Sequence, residues 1–234
     1  MHIYGLHDSR RVFATMAPIL KGMVAYVILT LVINLFFTYT AEGGDAKNAL
    51  AAHMAIITVL NFVMQTFFMG RIIEIIFGLS PLPAGDLLRR HLPKFIGTTA
   101  LIAILAVPIF SMVSSLLFKG DPTATFITIN TALKLITIYI FPLVFITGQI
   151  RYAIKTGVKC LLGNIKDSLF LMALSIFAFL FEGYALPALI PSLGDNPGFV
   201  AMATACNIFF SLYIFAAAAW IMQEKLYGSG GSVH

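Results

Sequence analysis

Six apolar runs, each long enough to cross a lipid bilayer, occupy most of the chain. A helix of about 20 apolar residues spans the hydrocarbon core, and it satisfies its own backbone hydrogen bonds there. Charged residues make up 11% of the chain, whereas a soluble domain carries about 25%. The sequence therefore predicts an all-α integral membrane protein with six transmembrane helices. The six runs are residues 18–40, 48–77, 95–118, 123–150, 168–190 and 198–222.

The connections between these runs leave no room for a second folded domain. The longest, residues 78–94, is too short to bury a core of its own. We therefore predict a single six-helix membrane domain over residues 1–227 and interpret residues 228–234 as an expression-vector linker. The first residues mix charges with apolar side chains, so no cleavable signal peptide is predicted. Cys160 and Cys206 have no metal-site spacing, and neither a disulfide nor a cofactor is predicted.

The basic residues give the expected orientation. If the six helices alternate in direction, twelve of the 15 lysines and arginines fall on one side, while Lys47 and Lys119 fall on the other and Lys134 lies inside a run. The positive-inside rule then predicts a multi-pass membrane protein with both termini in the cytoplasm. Membrane lipids are the expected partners of this charge, and nucleic acid is not. The twelve are Arg10, Arg11, Lys21, Arg71, Arg89, Arg90, Lys94, Arg151, Lys155, Lys159, Lys166 and Lys225.

Basic amphipathic segments precede the first, third and fifth runs. They read "DSRRVFATMAPILKG", "GDLLRRHLPKFIG" and "GVKCLLGNIKDS". This spacing indicates three parallel two-helix repeats of about 70 residues, each opened by an interfacial helix; the charge rule alone would also produce part of the pattern. In the second segment, Leu87, Leu88, Leu92 and Phe95 form an apolar face that is predicted to lie flat at the headgroups.

One passage resembles known six-span families of the bacterial inner membrane. "FPLVFITGQIRYAIKTGVKCLLGN" contains a proline-bearing span followed by Ala153, Ile154, Leu161 and Asn164. It is similar to the corresponding passage of the YciC-like proteins and of the membrane domain found with some glycerophosphodiester phosphodiesterases. The resemblance covers about residues 70–185. It implies a six-helix membrane fold and carries over no catalytic residue.

Five polar residues recur at a similar depth in five of the runs. They are Lys134, Glu182, Asn34, His53 and Asn207, each 13 to 18 residues from the basic end of its run, which is roughly 20–27 Å along a helix. Such groups usually face the bundle interior or a wet cavity. We therefore predict an outward-facing, substrate-binding pocket in which Lys134 pairs with Glu182. The alternatives are a lysine that reaches the headgroups and amides that only join helices.

Two further features bear on mechanism. Pro108 and Pro142 lie inside runs and are predicted to bend or break their helices, and broken helices near a midplane site are typical of transporters. Arg71 and Glu74 are three residues apart and are predicted to pair on one helix face.

These observations leave three hypotheses for function. The first is a transport or substrate-binding membrane component that uses the polar pocket. The second is a membrane-embedded structural or assembly subunit that docks another membrane or cytoplasmic subunit through its basic face. The third is an intramembrane enzyme that acts on lipid. The standard catalytic motifs are absent from the sequence, so we predict no catalytic residue and leave enzymatic activity open.

Overall fold

In a computed structural model of the chain, the residues described are 6–41, 46–118, 129, 132–181 and 197–227. Apart from short connections, these residues are helical, and they contain no β-strand. A 3₁₀ turn at Ala17–Ile19 joins the first two helices, and residues 132–137 form a further short helical segment. The helices are α1 (Leu6–Met16), α2 (Leu20–Ala41), α3 (Ala46–Ile76), α4 (Ala84–Phe118), α5 (Ile140–Thr147), α6 (Ile150–Gly163), α7 (Ile165–Leu180) and α8 (Pro197–Tyr227).

Four of the described helical stretches are long and apolar enough to cross a membrane. They are Ser9–Phe37, Ala51–Ile76, Ala84–Ile109 and Met202–Lys225. A fifth is obtained if α6 and α7, which are bent by 105° at their junction, count as one span. Parts of the predicted fourth and fifth runs, residues 123–128, 130–131 and 182–190, lie outside the described residues.

Large apolar side chains cover the outside of these helices. On α4, the exposed fractions of Ile104, Met112 and Leu116 are 70%, 68% and 74%. Soluble monomers rarely expose apolar patches of this extent. The all-helical, membrane-type architecture predicted from the sequence is therefore confirmed at the level of four to five long apolar helices.

Helix α8 lies at the centre of the bundle. It packs against α1, α2, α3, α5 and α7. Four consecutive alanines, residues 216–219, are buried in its middle. Small side chains allow neighbouring helices to approach closely where lipid supplies no hydrophobic driving force. This run of alanines explains how one helix can contact five others.

Side-chain contacts gather the chain's basic segments at one end of the bundle, here called the basic end. Arg11 Nη1 lies 3.2 Å from Glu224 Oε1, and Gln223 Nε2 donates to the carbonyl oxygen of Ile76 at 2.8 Å. Lys225 Nζ donates to Asn164 Oδ1, at the bend between α6 and α7. The segments that meet at the basic end are residues 9–15, 71–94, 148–166 and 220–225.

The connection between α3 and α4, residues 77–83, is held in place by a hydrogen bond to the side chain of Glu74. The carboxylate of Glu74 accepts a hydrogen bond from Arg71 Nη1 at 2.6 Å and another from the backbone amide of Leu82 at 2.9 Å. The side chain of Glu74 is 8% exposed. The predicted pair of Arg71 and Glu74 is thus confirmed, and the structure adds its role in holding the connection.

The start of α4 differs from the flat interfacial helix predicted for this segment. Residues 84–118 form one continuous helix. Leu87, His91 and Phe95, at i, i+4 and i+8, are buried inside the protein, because this stripe packs against α3 and α5. Leu88 and Leu92 are only partly buried. The apolar face predicted from the sequence includes Leu88 and Leu92, whereas the face that is buried in the structure includes His91.

Pro142 breaks the helix that contains Lys134. Residues 132–137 are helical, Ile138 and Tyr139 form a turn, and α5 begins at Ile140. Proline has no N–H to donate to the carbonyl four residues earlier, and its ring crowds that carbonyl. The predicted effect of Pro142 is therefore confirmed, and the break falls one turn before the proline.

Candidate functional site

A cavity of about 140 Å³ lies inside the bundle, where α3, α4, α7, α8 and the broken helix meet. Its polar side chains come from four of these elements. They are accompanied by aromatic rings, including Phe95 and Phe141. A cavity of about 150 Å³ is large enough to hold benzene, so the size suits a small organic molecule. The polar lining residues are Gln65, Lys134, Thr137, Ser175 and Ser211.

The helix break positions three residues of the wall. Thr137 and Ile138 precede the break or lie in it, and Phe141 follows it. The hydroxyl of Thr137 donates to the carbonyl oxygen of Leu133 at 2.7 Å. This is the ordinary bond of a helical threonine to the carbonyl four residues earlier, and it engages the single proton of the hydroxyl. The cavity is thus built around irregular backbone that is buried in protein.

Gly157 on α6 packs against the start of α5, the part of the broken helix that follows the break. A Cβ at this position would lie 2.7 Å from Ile140 Cγ1 and 3.0 Å from both Ile140 N and Ile140 Cα. Only a residue without a side chain permits this approach of two backbones. The first residue of α5 therefore rests directly on α6, which fixes where the helix resumes after the break.

The structure brings the predicted site residues together only in part. Lys134 lines the cavity. Asn207 is exposed, and its Oδ1 lies 3.3 Å from the hydroxyl of Ser211, which does line the cavity. Asn34 Oδ1 and His53 Nε2 are 2.6 Å apart between α2 and α3, and neither residue belongs to the cavity wall. Glu182 lies outside the described residues.

Gln65 lies 12 residues after His53 and was not among the five residues of similar depth, yet Gln65 and Lys134 share one cavity. Depth was counted as if every helix were straight and perpendicular to the membrane, which the break at residues 138–139 contradicts. The contribution of Ser175 and Ser211 was missed. Their positions on apolar helices could have marked them, because a hydroxyl is one of the few polar groups on those faces.

Among the described residues, no group of three or more histidine, cysteine, aspartate or glutamate side chains could hold a metal ion. Neither Cys160 nor Cys206 forms a disulfide. Comparison of the chain with protein-family models, with curated proteins and with solved structures gives no match.

Proposed function

We propose that the protein is a transport or substrate-binding membrane component that takes a small amphipathic anion into the Lys134 cavity. The observation that carries this proposal is the lining. Lys134, Gln65 and three hydroxyl-bearing residues line a space of about 140 Å³ whose other lining residues are mainly aromatic and aliphatic. Pockets for small molecules are usually largely apolar, with a few polar groups that orient the ligand.

The chemistry of the lining limits the ligand. A carboxylate or similar anion would be attracted to the Lys134 ammonium and could accept a hydrogen bond from the side-chain amide of Gln65. The apolar body of the ligand would contact Phe95 and Phe141. A cavity of this size accommodates about as many heavy atoms as benzene or slightly more. A short aliphatic or aromatic carboxylate fits both requirements.

The proposal includes a topology. Six spans in three parallel repeats, with the basic end in the cytoplasm, would open the pocket outward and place both termini inside a bacterial cell. Six membrane helices are also what the resemblance to YciC-like proteins implies. The gathering of the basic segments at one end supports this topology. Gly70 and Gly148 lie at similar places in the first two repeats, shortly before Arg71 and Arg151. Their structures differ, because Gly148 ends α5 with a φ of 69°, whereas Gly70 lies inside α3.

Replacing Lys134 by methionine tests the site. We expect purified wild-type protein to be stabilised against heat by a small carboxylate such as benzoate or isovalerate, and not by the corresponding amide. In Lys134→Met the effect of the carboxylate should be lost, because a charge-assisted interaction in an apolar cavity is worth about 1.5–3 kcal/mol, or roughly a tenfold to hundredfold change in Kd. Thermal unfolding in detergent is the measurement.

Lys155→Met is the matched control. Lys155 is exposed on α6 and is not part of the cavity wall, so this variant should respond to the carboxylate like the wild type. An equal loss in both variants, or the same stabilisation by acid and amide, would contradict the proposal. A bundle that responds to neither ligand would favour the structural or assembly role instead.

A further inference from the structure

A second cavity, of about 440 Å³, lies at the basic end beneath the 77–83 connection. Its walls come from α3, the connection, the start of α4 and the end of α5. One part of the lining is apolar and includes Ile73, Phe77 and Phe145. Another part is polar and includes Ser80, Arg90 and His91. A space with both kinds of wall suits a ligand that has a polar group attached to a hydrocarbon body.

His91 is a buried polar residue, and one of its two ring nitrogens lacks a hydrogen-bond partner. Its exposed fraction is 8%, and its ring stacks on Phe145 with centroids 4.8 Å apart and an interplanar angle of 11°. Its Nδ1 has no hydrogen-bond partner among the described residues. Buried polar atoms are rarely left unsatisfied, because the loss of hydration is costly. Nδ1 itself is enclosed by protein, whereas the residue forms part of the cavity wall. A half-turn of the ring about its Cβ–Cγ bond keeps the stack on Phe145 and exchanges Nδ1 with Cδ2, so a ligand in the cavity could supply the missing partner after this rotation.

The charges around the cavity favour an anion. Glu74 is the acidic residue of the lining, and its carboxylate is already engaged by Arg71 and by the amide of Leu82. The guanidinium of Arg90 lies on the same wall, one residue from His91. Arginine forms two parallel hydrogen bonds to phosphate and carboxylate groups. The basic end is also where the phosphate groups of a bilayer would meet this protein.

We propose that this cavity binds the phosphate group of an amphipathic phosphate ester. Arg90 and His91 donate hydrogen bonds to the phosphate, and the apolar wall receives the attached hydrocarbon. The same chemistry is found in an anionic phospholipid headgroup and in a soluble phosphate ester. This site is separate from the Lys134 cavity, with which it shares no lining residue, so it does not rest on the function proposed there.

Thermal unfolding of the purified, lipid-depleted protein tests the site with three probes. They are dihexanoyl phosphatidylglycerol, dihexanoyl phosphatidylcholine and glycerol phosphate. We expect phosphatidylglycerol to raise the unfolding temperature more than phosphatidylcholine, whose quaternary ammonium is unfavourable beside Arg90. His91→Phe keeps the stacked ring and removes Nδ1, and Arg90→Gln removes the guanidinium. Each should weaken phosphatidylglycerol binding about tenfold.

Arg89→Gln is the matched control, since it removes the same charge from an exposed neighbour outside the cavity wall. It should change binding by less than about twofold. His91→Phe should also unfold at a higher temperature than the wild type without ligand, because it no longer buries an unsatisfied nitrogen. A larger response to phosphatidylglycerol than to glycerol phosphate identifies the lipid as the source, and an equal response identifies a soluble ester.

Three results would overturn the proposal. The first is that neither phosphatidylglycerol nor glycerol phosphate stabilises the protein. The second is that Arg89→Gln weakens binding as much as Arg90→Gln, and the third is that His91→Phe leaves binding unchanged. Either of the last two would show only a general attraction between a basic surface and an anion.

Discussion

Replacing Gly157 by leucine is expected to destabilise the bundle by about 3 kcal/mol or more. Overpacking a well-packed interior typically costs about 1–3 kcal/mol, and more where the neighbours cannot move. Here the neighbour is backbone: a Cβ at Gly157 would lie 3.0 Å from Ile140 N and Ile140 Cα. The structure could relieve this contact only by separating α5 from α6, which would also displace the wall of the Lys134 cavity.

The same helix contains a control for this substitution. Gly163 is also in α6, and a Cβ there would have no other atom within 4 Å. Gly163→Leu should therefore change the unfolding temperature in detergent only slightly, since α6 keeps its packing. Gly157→Ala should fall between the two leucine variants. If Gly157→Leu and Gly163→Leu are equally stable, the close packing of α6 on Ile140 is not a determinant of stability.

Replacing Glu74 by alanine is the second change with a large expected effect, about 3 kcal/mol. Removing one partner of a buried ion pair typically costs about 3–5 kcal/mol, because the remaining charge is left without compensation. We expect the lower end of this range, since the side chain of Arg71 is still 21% exposed. The loss of Glu74 also removes the acceptor for the amide of Leu82 and so releases the 77–83 connection.

Two further variants separate these contributions. The exposed ion pair of Arg11 and Glu224, whose side chains are 59% and 52% exposed, is a matched control. Glu224→Ala should cost less than about 1 kcal/mol. The double variant Arg71→Met with Glu74→Met should be more stable than Glu74→Ala, because no charge is stranded. If Glu74→Ala and Glu224→Ala lose the same stability, the burial of the Arg71–Glu74 pair does not increase its contribution to the stability of the bundle.

The apolar runs predicted the long helices well. The runs at 48–77 and 198–222 lie within a few residues of α3 and α8, since a bilayer core fixes the length of a helix that crosses it. The break near Pro142 was also predicted, but Pro108, for which the same reason was given, lies inside the continuous helix α4. A missing N–H alone therefore does not decide whether a helix breaks. The pairing of Arg71 with Glu74 followed from helical spacing alone.

The inward faces of the helices were harder to predict. A helix of a bundle in lipid is apolar on both its lipid-facing and its buried sides, so hydrophobicity alone does not mark the side that packs against other helices. At the start of α4, the apolar face read from the sequence includes Leu88 and Leu92, which are only partly buried, whereas the buried stripe continues through His91 and Thr98. Small residues were the better signal. Gly70, Gly157 and the alanines of α8 all lie where helices meet closely, which depth counting along single helices cannot detect.

The central position of α8 has a consequence for biogenesis. This helix leaves the ribosome after α1 to α7, yet it packs against five of them. Until residues 197–227 have been synthesised, α2 and α3 lack a main packing partner, and Arg11, Thr15 and Ser9 lack the groups they contact on α8. Each helix can enter the bilayer in turn, but the bundle can close only after translation of its last helix, when α8 inserts between segments that were made much earlier.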